Sequence, residues 1–149
     1  MPFYPSRFRR NALITLLLLF ALLQTTSGQA PASNAGQVAS TRHILLVFSG
    51  SDWCLPCIKL EKQILSDSSF LDFAATHLQV IKVDFPQRKK LSGEQMKENE
   101  TWAEHYNPEG TFPKLLLLNP DRSVRAILSW TNENTASFIG QVEQLLNTN

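Results

Sequence analysis

The chain has 149 residues, 14 Lys or Arg against 13 Asp or Glu, and two cysteines. A formal charge of +1 supplies no basic field for nucleic acid, and two cysteines are too few for a disulfide-stapled scaffold.

Arg7, Arg9 and Arg10 open the chain, Ala12 to Leu23 is apolar except for Thr15, and Thr25, Thr26, Ser27, Gly28 and Ala30 follow. That pattern predicts a secretory signal peptide over residues 1–30, processed after Gly28 or Ala30. A membrane anchor would instead need roughly 20 apolar residues to cross the hydrocarbon core. Without its first 30 residues the chain keeps 119 of 149, with eleven basic residues against thirteen acidic ones, a formal −2. This length suits one domain and is too short for two. A soluble monomer, periplasmic or secreted, is expected.

Residues 31–41, rich in Ala, Ser, Asn, Gly and Gln, read as a flexible linker, and residues 42–149 as the domain. Ile44 to Phe48 is a continuous apolar run, as expected of a strand covered on both faces, and Ser49 to Asp52 breaks it. From Cys54 a helical period places Cys57, Leu60 and Ile64 on one stripe. Ser66 to Ser69 interrupts it, and Phe70 to His77 resumes it. Leu78 to Asp84 reads as a second strand, with Arg88, Lys89 and Lys90 after it as a basic run in a polar loop, assigned to solvent. Gln95 to Tyr106 predicts a helix ended by Asn107 and Pro108. Lys114 to Asn119 and Val124 to Trp130 flank a turn and predict a hairpin, and Asn134 to Leu146 predicts a closing amphipathic helix. The class is α/β: a mixed sheet of about four strands, with a parallel βαβ unit, a C-terminal antiparallel hairpin and helices on both faces.

The chemistry centres on Trp53-Cys54-Leu55-Pro56-Cys57, where the first strand turns into the first helix. A thiolate attacks a disulfide, and a free cysteine titrates near ~8.5, so a reactive thiol needs help at neutral pH. Unpaired N–H groups at a helix start supply it to Cys54, and Pro56 fixes φ where its missing N–H costs nothing. Cys57, one turn deeper, is raised by burial and waits as the resolving thiol. Glu61, four residues on, is a candidate acceptor for its proton; the alternative is an exposed helix-surface glutamate. Asp52 reads as a helix cap or a solvated loop residue.

Other uses of the cysteine pair fare worse. A staple closing four residues gains only about 2 kcal/mol. Zinc would need His43, His77 or His105, none at metal-ligand spacing with another, so no metal and no cofactor is expected.

The pair, its Trp and the proline before the third strand together resemble the thioredoxin superfamily, from about Arg42 to Leu146. Ser51-Asp52-Trp53-Cys54, Lys59-Leu60-Glu61-Lys62 and Ser66-Asp67 look most like exported thioredoxin-like proteins and the C-terminal domain of DsbD-type reductases. The resemblance implies that Cys54 is the exposed attacking thiol, Cys57 the buried resolving thiol, Trp53 the flat apolar residue beside it, and Pro113 a cis-proline, although X-Pro bonds at large favour trans. A cis bond would turn the Phe112 backbone toward Cys54 for an extended substrate to pair with; the Phe112 ring is either an apolar ledge or a core residue. Phe48 stands where thioredoxins carry a buried aspartate, Ile58 where lysine is common, and Lys114 where threonine is usual.

The expected activity is thiol–disulfide exchange on disulfide-bonded protein substrates. Proline in the second intervening position and no histidine between the cysteines favour the reducing direction, which outside the cytoplasm requires a membrane electron donor. The alternatives are a peptide-binding module without catalysis, or an oxidase or isomerase of the same fold. An isomerase usually calls for a dimerisation region, for which the length leaves no room.

Overall fold

The computed structural model describes residues 41–148; the expected signal peptide, and the expected linker but for its last residue, lie outside them. Four strands form one mixed sheet. β1 (His43–Ser49) lies between β2 (Leu78–Asp84), its parallel neighbour, and β3 (Lys114–Leu118), its antiparallel one, and β4 (Val124–Leu128) pairs with β3 at the far edge. The two inner strands are the two continuous apolar runs. Each buries both faces, so an apolar residue is favourable at every position, whereas β2 and β4, at the edges, mix buried and exposed residues.

Alternation along β1 builds two cores. Leu45 and Val47 point to one face, where they meet Leu60, Ile64, Phe70, Phe138 and Val142; Ile44, Leu46 and Phe48 point to the other, with Val83, Leu116 and Leu118. The first face is covered by α1 (Leu55–Leu60), a π-helical segment continuing it (Glu61–Leu65), α2 (Ser68–His77) and α4 (Thr135–Asn147). On the second lies α3 (Gly93–Tyr106), which buries no residue completely and packs through Trp102, Ala103 and Tyr106. A capping box between Ser92 and Gln95 fixes its start.

Beyond shifts of one or two residues, such as α3 starting at Gly93 and β3 ending at Leu118, two boundaries differ from the sequence reading in what they place where. The interruption after Leu65 is a helix ending and a helix beginning: the Ser66 N–H reaches back five residues to the Glu61 carbonyl at 2.9 Å, and Asp67 caps α2 through the Ser69 N–H at 2.9 Å. The new helix therefore starts at Ser68, ahead of Phe70. β4 stops at Leu128, short of Trp130, whose indole N–H turns to the Glu133 carbonyl at 3.2 Å.

Candidate redox site

The site grows out of the tight turn after β1. The Gly50 carbonyl accepts the Cys54 N–H at 2.9 Å and the Trp53 N–H at 3.3 Å. Cys54 then takes an extended conformation (φ −84°, ψ 101°) as the N-cap of α1, and its Sγ accepts the Cys57 N–H at 3.3 Å. A sulfur that receives a backbone N–H at a helix start is stabilised as an anion once reduced. Here the two sulfurs are joined as a disulfide, with the Cα atoms 5.2 Å apart.

Cys57 is buried beside Leu60, as the helical stripe predicts. Cys54 departs from the exposed thiol that the resemblance implies: it is 6% accessible, against 2% for Cys57. Its place as the N-cap of α1, with the sulfur bonded to Cys57 Sγ and receiving the Cys57 N–H, leaves little of the residue open to solvent. Both residues are buried in this oxidised state, and Cys54 Sγ is distinguished by the N–H it receives.

Aromatic rings frame the turn. Trp53 is 38% exposed, and its Nε1 donates to the Phe85 carbonyl at 2.7 Å. Phe112 meets Trp53 edge-on at 5.5 Å and Phe85 at 5.7 Å while also packing on the α3-side core. Its ring therefore packs on the core and touches Trp53 as well. Gly50 is what lets the indole lie flat on the turn, because a Cβ there would stand 2.3 Å from an indole carbon. The Phe112–Pro113 bond is cis. The loop leading to it hangs on Asn107, a buried side chain that donates to the Thr111 carbonyl and accepts the Thr111 N–H, both at 3.0 Å. Pro113 lines an open groove of about 910 Å³ with Leu55, Ile58, Leu128 and the exposed Ile127.

On the inner side of the disulfide, Cys57 and Glu61 line one cavity of about 600 Å³ together with Val47, Ser49, Lys82 and Asp84. Glu61 accepts from Lys82 Nζ at 2.6 and 2.8 Å and from Ser66 Oγ at 3.1 Å. Phe48 plays no part in this cavity. It points to the α3 face, so β1 presents Val47 and Ser49 toward the resolving sulfur.

Asp52 neither caps α1 nor lies free in solvent, and the sequence reading is corrected on both counts. Cys54 holds the cap position, and the Asp52 carboxylate accepts three backbone N–H groups from across the molecule: Gln87 at 2.8 Å, Arg88 at 2.7 Å and Lys89 at 3.1 Å. Those bonds, the one from Gln87 foremost, hold its pKa below the model-compound value of 3.8 against a smaller opposing effect of desolvation, and the Arg88 charge adds to them. Asp84 works alongside, accepting from Ser51 N at 2.8 Å and Ser51 Oγ at 2.6 Å.

The histidines stand apart. His43 begins β1, its pKa lowered by burial and by the Arg125 charge; His77 stacks on Phe73 and His105 meets Tyr106 edge-on. Among the described residues no three of His, Cys, Asp and Glu gather as a metal-binding group. Gly50, Lys82, Phe85 and Asn107 were not singled out from sequence. Gly50 left a signal, a glycine directly before the Ser51-Asp52-Trp53-Cys54 stretch, whereas the other three acquire their places only through contacts between distant segments.

A family model described as thioredoxin-like matches residues 28–120, more than half of the chain. Disulfide bond reductase DsbH of Chlamydia pneumoniae is 36% identical over 103 residues, which are 69% of this chain and 61% of that protein. The chain thus spans less than two thirds of that relative's length. A solved structure of DsbH oxidoreductase superposes with a TM-score of 0.67 at 33% identity, covering 73% of this chain and 75% of the other. A disulphide isomerase from Xylella fastidiosa Temecula1, with a TM-score of 0.50 at 20% identity over 69% of this chain and 79% of its own, shares the fold. The chain belongs to the thioredoxin-like family.

Proposed function

We propose that this protein is an exported thiol–disulfide oxidoreductase that reduces protein disulfides through Cys54 and Cys57. The observation that carries the reading is the bonded pair at the start of α1, with the Cys57 N–H on Cys54 Sγ. The Cys54 thiolate attacks a substrate disulfide, forms a mixed disulfide and expels one substrate thiolate. Cys57, deprotonated in its turn, attacks Cys54 Sγ and expels the second, leaving the Cys54–Cys57 disulfide. Two electrons pass to the substrate, and a membrane dithiol donor restores them.

Glu61 is the acceptor for the Cys57 proton, supported by the cavity the two share. Trp53, Phe112 and Pro113 form the substrate-binding rim, supported by the ring contacts and the groove. Export rests on the basic and apolar pattern of residues 1–30. The reducing direction rests on Pro56 in the second intervening position, which the reducing thioredoxins near ~−270 mV share, and on there being no histidine between the cysteines to stabilise the thiolate as in oxidants near ~−120 mV.

Insulin reduction with dithiothreitol tests the activity. Wild type accelerates turbidity and Cys54→Ser does not; equal curves would leave a peptide-binding module. Equilibration with glutathione tests the direction, and a potential above about −180 mV would reverse it. Glu61→Gln slows the resolving step and shifts its pH profile; an unshifted profile removes Glu61 from the mechanism.

A further inference from the structure

We infer that the loop bearing Arg88, Lys89 and Lys90 is a docking arm for acidic polypeptide segments flanking the disulfide of the substrate, which rests on the oxidoreductase reading above. In sequence these three cations are an ordinary solvated run. The tertiary structure gives them an address.

Their loop is fastened to the redox turn at two points. Asp52 accepts the N–H groups of Gln87, Arg88 and Lys89, and the Trp53 indole donates to the Phe85 carbonyl. Asp52 is two residues from Cys54, a chain reach of about 7 Å. The loop backbone is thus held against the turn that carries Cys54, while all three side chains are exposed. Among the described residues the two close ion pairs are Lys82–Glu61 and Lys114–Glu109, so none of the three cations is consumed in one. Arg88 is partly offset by the nearby Asp52 charge; Lys89 and Lys90 are the outward charges.

The groove that Pro113 lines is mainly apolar, with Leu55 72% and Ile127 68% exposed, and its charged lining is Lys59 and the paired Lys114 and Glu109. A chain reaching the disulfide therefore has a mainly apolar groove beside Leu55 and Pro113 and a positively charged loop tied to Asp52 within its reach. An acidic polypeptide is favoured over an anionic membrane because the loop is anchored at the point where a cystine must approach.

The test is binding of disulfide-looped peptides to full-length chain with Cys54→Ser and Cys57→Ser, so that exchange does not contribute. The peptides are identical except for three Glu, Gln or Lys residues on each side of the loop. At low salt the Glu peptide should bind about ten-fold tighter than the Lys peptide, a preference that fades at about 0.5 M salt. Adding Lys89→Glu and Lys90→Glu should invert the order, while Lys97→Glu, on exposed α3 surface, should preserve it. The salt series on the unreversed chain needs no loop variant and guards against misfolding.

Equal affinities, undetectable binding, or a preference untouched by the charge reversal would overturn the proposal. So would binding to phosphatidylglycerol vesicles without discrimination among the peptides. Reduction of 2-hydroxyethyl disulfide by the unsubstituted chain is scored separately: its absence defeats the oxidoreductase reading, and the peptide preference judges the arm.

Discussion

The two faces of the sheet carry unequal cores. On the side of α1, α2 and α4, thirteen described residues form one buried cluster; on the α3 side there are six, completed by partly exposed Phe85, Trp102, Tyr106 and Phe112. The larger core steadies Cys57 from beneath through Leu60 and Ile64. The smaller one extends to the protein surface and becomes the rim of the redox site, since Phe112 belongs both to it and to the Trp53 contact. Under the proposed function, the Trp53–Phe112 part of the rim belongs to the smaller core and the bulk of the stability to the larger one, and substitutions should separate them.

The largest effect is expected on the fuller face. Phe138, inaccessible to solvent and packed against Phe70, should cost about 3–5 kcal/mol when changed to Ala, read by urea unfolding. The redox potential of the surviving folded fraction should stay at its wild-type value. A large change in potential would mean that the two faces are not separable.

Asn107→Leu comes next, because it leaves the Thr111 N–H and carbonyl without their partner. A loss of about 1–3 kcal/mol is expected, together with a raised KM for peptide disulfides as the loop before Pro113 loosens. Gly50→Ala should cost a similar or smaller amount, about 1–2 kcal/mol, by pushing the indole off the turn. Its signature is a shifted Trp53 fluorescence, and an unshifted spectrum would show that the turn yields rather than the ring.

The smallest effect is a pH dependence. Asp52 has a folded-state pKa below 3.8, so its fastening of the loop is complete above that value and is lost as pH falls through the depressed one. The Gln87, Arg88 and Lys89 amide resonances should move together in that acid range. Asp52→Asn should abolish their shared titration; its survival would assign the effect to another carboxylate.

Much of the fold was legible in the residues. The apolar run Ile44–Phe48 announced a strand covered on both faces, Lys114–Asn119 announced one arm of a hairpin, and the stripe of Cys57, Leu60 and Ile64 announced a helix buried along one side. The π-helical segment was not legible, because a five-residue backbone reach leaves the apolar spacing nearly unchanged. Asp52 was misread for a different reason: a carboxylate two residues before a helix looks like a cap, and its partners lie 35 to 37 positions away.

The sequence by itself determined the strand and helix order, the pairing of two sulfurs three residues apart and the burial of one of them, because local periodicity and short spacing settle these. Only the tertiary structure decided what surrounds the sulfurs. Lys82 meets Glu61 because parallel pairing of β1 and β2 brings β2 alongside the first helix, and Phe85 meets Trp53 because the end of β2 lies beside the turn after β1. Such contacts depend on chain crossing and register, which are set by burial on the whole sheet and leave no local pattern to read.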